Sequence, residues 1–161
     1  MVTAQRDEWV FLTYRLPREP SGPRLSLWRA ILSLGALQLA DGLVALPHSA
    51  RNLEHFQWLA ADIAENDGTA GVWRARADSR RDHDANVASM RESVDVEYRA
   101  VRDEARAVPG DVPDAERRRT VRRLRGQLRR IRLRDHFEAP TRVHAQVAVD
   151  RLASEPEVVE A

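Results

Sequence analysis

Two groups of arginines carry most of the chemistry this chain offers. The first is dense. Residues 117–134 hold ten arginines and no acid. Among them Arg118, Arg119, Arg122, Arg123, Arg125, Arg129 and Arg130 are the candidate contacts to double-stranded DNA. A helix with this composition suits phosphate backbones, and its binding falls steeply with salt. The second group is Arg15, Arg18 and Arg24, with Ser21 between them. They surround the end of a predicted strand and the start of a predicted helix. Backbone N–H groups there attract anions, and guanidinium forks match tetrahedral oxyanions. Each group has a plainer reading. Arg24 or Arg29 can pair with Glu19 or with acids of the second helix. Glu92, Asp95, Glu97, Asp103 and Glu104 can neutralise part of the dense stripe.

Composition narrows the remaining chemistry. The 161 residues contain no cysteine, which removes disulfides, thiolate metal sites and Cys nucleophiles together. All 26 cations are arginine. No lysine is available for a Schiff base or a phosphate loop, and every cation is a planar fork. The five histidines complete no metal set with the acids around them, and no HExxH is present. No Gly-rich phosphate loop, nucleophile elbow or cofactor fingerprint is visible. The polar start is unlike a signal peptide, and no apolar run is long enough to span a membrane. A cytoplasmic protein without cofactor or metal is expected. Net charge is only +1. It hides a segment of +6 over residues 111–142, between −2 over 78–110 and −3 over 143–161.

The elements that position these residues follow from patterning. Trp9–Leu16 is a short, apolar, β-rich run that Pro17 ends, so it reads as a buried strand. A helix follows to about Leu34, with Ser21 as its cap, Leu25, Trp28, Ile31 and Leu32 on one face, and Gly35 closing it. Ala36–Pro47 reads as a hairpin turning at Asp41-Gly42, with positive φ expected at both turn residues. Ser49 caps a second helix, with Leu53, Phe56, Leu59 and Ile63 inward. Residues 70–76 form a last strand. Trp9, Trp28, Trp58 and Trp73 are all assigned to the core. The order β-α-β-β-α-β is the ferredoxin-like pattern. Small CRISPR-associated nucleases share this order and carry an Asp at the end of the first strand. Here that position reads Tyr14-Arg15-Leu16.

The second half carries no strand signal. Val87, Val94, Val101 and Val108 recur every seven residues, with Met90, Tyr98 and Ala105 alongside. A Pro109–Pro113 breaker follows, and Asp114 caps a helix with a Val121, Leu124, Leu128 and Ile131 seam. Two narrow seams and a short turn predict an antiparallel helical hairpin. A third, short helix uses Val143, Val147 and Leu152. The fold class is thus α+β: a ferredoxin-like domain at 9–77, a helical hairpin plus short helix at 78–153, and an acidic tail at 154–161.

The run Tyr14-Arg15-Leu16-Pro17-Arg18-Glu19-Pro20-Ser21 stands with Arg24, Trp28-Arg29, Leu34-Gly35-Ala36, Asp41-Gly42 and Leu46-Pro47. Together with Trp58, Trp73 and the Arg-rich helix ending in Asp135–Pro140, it resembles the N-terminal domain of the ChrB chromate-resistance family. A more distant likeness is to the middle domain of PaaX-type repressors, whose winged helix-turn-helix is missing. The ChrB resemblance implies a regulator of a chromate-efflux operon that binds its promoter DNA and releases it when chromate, the effector, is present. Arg15, Arg18, Ser21 and Arg24 are then the anion site. An exposed sheet and a narrow-seamed hairpin predict a homodimer. The alternative is an oxyanion-binding or assembly module that acts with a separate partner protein and leaves DNA alone. An enzymatic role is not expected.

Overall fold

A computed structural model describes residues 7–154. Its elements are β1 (Glu8–Arg15), α1 (Ser21–Leu34), β2 (Leu37–Ala40), β3 (Leu43–Pro47), α2 (Ala50–Glu65), β4 (Thr69–Arg76), α3 (Arg80–Ala107), α4 (Asp114–Arg134) and α5 (Arg142–Ser154). The chain divides into two compact units, one to Met90 and one from Arg91. The acidic tail from residue 155 lies outside the described residues.

In the first unit the four strands form one antiparallel sheet, in the order β2-β3-β1-β4. That is the ferredoxin-like arrangement expected from the element order. Register places Val10 opposite Leu46 and Leu12 opposite Val44. All four are fully buried on one face, under Phe56 and Ile63 of α2. Full burial of one such side chain contributes about 1.5–3 kcal/mol. Ser49 accepts the Asn52 N–H at 3.0 Å and caps α2 as expected. Gly35 closes α1 at φ 66. The hairpin turn departs from expectation in that only Gly42 has positive φ. Its N–H-side neighbour Asp41 does not, and the strand pairing takes up the difference as a register shift between Gln38 and Ala40.

Three of the four tryptophans are not core. Trp9 is buried, and its Nε1 donates to His83 Nδ1 at 3.2 Å. Trp28, Trp58 and Trp73 are 55%, 70% and 58% exposed. On α1 the buried positions are Leu27 and Ile31, and Leu25, Trp28 and Leu32 are exposed. The helix buries one narrow strip, and these three lie outside its arc. Trp58 stands two residues from Phe56, on the far side of α2. Trp73 pairs with Phe11 on the sheet face opposite the buried Val10 and Leu12. Its Nε1 donates to Thr13 Oγ1 at 3.0 Å, so the ring lies down on that face instead of entering a core.

The second unit is helical. Val94, Tyr98, Val101 and Ala105 from α3 form one buried cluster with Val121, Leu124, Leu128 and Ile131 from α4. Both expected seams therefore meet. The third helix is rotated from its expected setting. It buries Ala145, Ala148, Val149 and Leu152, while Val143 and Val147 are exposed. Two alanines on the contact side let α5 approach α4 closely. Asp114 does not cap α4. The cap is Pro113, without a side-chain hydrogen bond, and Asp114 pairs with Arg118. Buried Asp95 accepts the Thr141 N–H at 2.7 Å and the Thr141 hydroxyl at 3.1 Å. Tyr98 donates to Asp135 at 3.2 Å, and Asp135 accepts the Ala139 N–H. These carboxylates hold the 135–141 connection against α3.

Candidate anion pocket and nucleic-acid interface

The end of β1, the loop after it and the first turns of α1 line an open cavity of about 620 Å³. All four residues of the expected anion site line it: Arg15, Arg18, Ser21 and Arg24. Strand β1 delivers Arg15, the loop Arg18, and α1 the other two. Ser21 sits there as the first residue of α1 and not as its cap. Pro20 occupies the cap position without a side-chain bond. Arg24 Nη1 donates to the Leu16 carbonyl at 3.3 Å, which ties α1 to the end of β1. No carboxylate lies within ion-pairing distance of Arg15, Arg18, Arg24 or Arg29 among the described residues. The plainer reading, in which Glu19 or the α2 acids neutralise them, is not what the fold builds.

Residues that patterning did not assign to this site also line it. Trp28 and Leu25 come from the exposed side of α1, Tyr14 from β1, and Gln38, Asp41 and Gly42 from the hairpin. Gly42 explains how the turn comes so close. The Tyr14 N–H donates to the Gly42 carbonyl at 2.8 Å, and a Cβ on Gly42 would stand 2.5 Å from the Tyr14 carbonyl oxygen. The one available signal was spacing. Trp28 follows Arg24 by one helical turn, so the two share a face.

On α4 the seven candidate DNA contacts divide by partner. Arg118 pairs with Asp114, Arg123 with Glu104, and Arg125 with Asp150. Glu104 pushes the Arg123 guanidinium pKa further up. Arg119, Arg122, Arg129 and Arg130 are exposed and have no carboxylate partner among the described residues, and neither has Arg132. Of the five α3 acids able to neutralise the stripe, two reach it. Glu104 takes Arg123, and Glu97 takes Arg134 through bonds of 2.7 and 2.9 Å. Glu92 and Asp95 pair with Arg99, and Asp103 with Arg102. Arg117 is buried and donates to the Gly110 carbonyl at 3.0 Å, so it braces the turn before α4. Helical geometry puts Arg119, Arg122, Arg129 and Arg130 on the arc away from the Val121, Leu124 and Leu128 seam, and Arg132 beside the seam, in line with Val121. Along one flank Arg118, Arg122, Arg125 and Arg129 line a groove of about 340 Å³.

Among the described residues no helix is long and apolar enough to cross a membrane. The family model described as "Protein ChrB, N-terminal" matches residues 24–107. The Tyr14–Ser21 run that carries much of the resemblance precedes that match. Protein ChrB of Cupriavidus metallidurans is 31% identical over 154 residues, which cover 91% of this chain and 48% of that protein. The chain thus spans about half the length of the curated relative it matches. No solved structure matches it. With the family model covering more than half of its length, the chain belongs to the ChrB family.

Proposed function

We propose that this protein is a DNA-binding transcriptional regulator of chromate resistance, and that chromate releases it from an operator. Membership of the ChrB family supports the link to chromate resistance. The observation that carries the DNA reading is the outer arc of α4. Its four arginines, Arg119, Arg122, Arg129 and Arg130, face solvent without carboxylate partners among the described residues. Guanidinium groups left unpaired on one helix face are suited to a row of phosphates. Arg118, Arg123 and Arg125 join the contact by exchanging an exposed carboxylate for a phosphate. The protein acts as a homodimer in the cytoplasm, binds without a cofactor and catalyses no reaction.

Effector recognition falls to the N-terminal cavity. Chromate is a tetrahedral dianion, and Arg15, Arg18 and Arg24 supply forks for its oxygens. Release and sensing are then one coupling free energy. If chromate weakens DNA binding tenfold, DNA weakens chromate binding tenfold. The experiment is equilibrium binding of the intact chain to duplex DNA from upstream of its own reading frame. Parallel titrations use variants Arg122→Gln and Arg129→Gln. The reading requires binding by the parent and a strong loss in the variants. Binding that the variants leave unchanged would move the interface off α4.

A second reading has one observation in its favour. The sheet face bearing half-buried Phe11 and exposed Trp73 and Leu39 is apolar. It suits an assembly module that binds an oxyanion and a partner protein. Such a module keeps its partner at salt concentrations that strip an arginine helix from phosphate.

A further inference from the structure

The N-terminal cavity is much larger than the ion assigned to it. At about 620 Å³ it falls in the range of pockets that hold whole organic ligands, and a tetrahedral dianion has five heavy atoms. Its lining is also divided in chemistry. Arg15, Arg18 and Arg24 supply cationic forks, and Trp28 supplies an indole 55% exposed to solvent. Gln38 supplies an amide with both donors and an acceptor. Asp41 supplies a carboxylate. That carboxylate shares the cavity with three arginines yet stands beyond ion-pairing distance of them all, and no other described cation pairs with it.

A bare dianion uses only part of this surface. It gains nothing from Trp28 and is repelled by Asp41. The lining is matched by a ligand that carries a phosphate at one end and a flat ring with N–H or hydroxyl donors at the other. We infer that the cavity is a nucleotide site: Arg15, Arg18 and Arg24 take the phosphate, Trp28 stacks on the base, and Asp41 and Gln38 accept from ribose hydroxyls or base amino groups. Three cations and one anion leave the cavity +2, which balances a nucleoside monophosphate. Two features hold the walls in place. The Arg24 bond to the Leu16 carbonyl fixes the cationic wall, and the Tyr14–Gly42 bond fixes the turn that carries Asp41. The inference rests on the proposed role of the arginine end, because chromate then occupies the phosphate position of a larger site and competes with the nucleotide.

The test is calorimetric titration of the full chain with AMP, adenosine, inorganic phosphate and chromate. AMP is expected to bind at least tenfold more tightly than inorganic phosphate, with chromate displacing it. Trp28→Ala should weaken AMP about tenfold or more, as loss of a stacking partner does, and leave chromate unchanged. Asp41→Asn keeps a turn-forming residue beside Gly42 and carries the sharper prediction: AMP binding weakens while chromate binding strengthens. A residue that only shaped the turn would move both ligands in the same direction. AMP binding no better than phosphate, with Trp28→Ala and Asp41→Asn indifferent, overturns the nucleotide site and leaves the effector reading intact. AMP binding that chromate cannot displace supports the nucleotide site and removes the effector from this pocket.

Discussion

Counterion release gives the outer arc of α4 a quantitative signature. Four arginines there lack carboxylate partners among the described residues: Arg119, Arg122, Arg129 and Arg130. From Arg119 to Arg130 the helix rises about 16 Å. Duplex DNA offers one phosphate per strand about every 3.4 Å of axis, so several lie within that reach. If each arginine neutralises one phosphate, log K falls with log salt at a slope of about −3.6 per protomer. Raising salt fourfold, from 50 to 200 mM, then weakens binding about 150-fold. Replacing Arg122 and Arg129 together by Gln should bring the slope to about −1.8 and the loss to about 12-fold. The assay is fluorescence anisotropy on a labelled duplex across a salt series. Gly126→Ala serves as control, because it changes α4 without changing charge. A shallow slope in the parent, or one that the double variant leaves unchanged, would refute the assignment of α4 to phosphate contact.

Other predictions concern what holds the two units. Gly126 lies inside α4, and a Cβ there meets nothing closer than 3.8 Å; Gly126→Ala should therefore stabilise the protein by about 1 kcal/mol in urea denaturation. Gly42→Ala carries the opposite sign, because positive φ and the Tyr14 carbonyl oxygen both oppose it; a loss of about 2 kcal/mol or more is expected, with a weakened cavity. Asp95→Ala leaves the Thr141 N–H and hydroxyl unpaired in a buried place; unfolding free energy should drop by about 2–3 kcal/mol and α5 helicity should fall in circular dichroism. Burial first, and Asp135 second, push the Tyr98 pKa up to about 12. In a Tyr14→Phe background, absorbance at high pH should show this phenol ionising near that value. A raised phenol pKa favours the neutral folded form, so its contribution is complete below pH 10 and is lost as pH rises toward 12.

Much of this architecture is legible in the amino-acid order because local signals agree. Pro17, Gly35, Asp41-Gly42 and Ser49 each mark a boundary that the fold keeps. The seven-residue spacing of Val94 and Val101, and the Val121–Ile131 seam, find each other in one buried cluster. Side-chain size misled where a helix buries only a narrow strip. Trp28, Leu25 and Leu32 are large and apolar, yet α1 packs through Leu27 and Ile31 alone. In α5 the same error ran through Val143 and Val147, because small alanines make the close contact. The four anion-site residues come together as expected, since strand end, loop and helix start are contiguous. Trp28 shares a helix face with Arg24, so spacing is enough to join it to them; Gln38 and Asp41 have no such signal, because only the hairpin's fold onto β1 brings them there. On α4 no local rule shows which arginines find acids. Glu97 and Glu104 pair across the hairpin, and Glu92, Asp95 and Asp103 pair within α3, as a matter of helix rotation.

Release of DNA by chromate is tested most directly on the complex itself. A mobility shift with the upstream duplex, at one moderate salt concentration, compares chromate with an equal concentration of sulfate, which matches it in charge and shape. A specific complex that chromate dissolves and sulfate leaves in place is expected, with Arg15→Gln and Arg18→Gln retaining the complex but losing the response. A complex on any DNA that both anions weaken alike, or no complex at all, would contradict release by chromate.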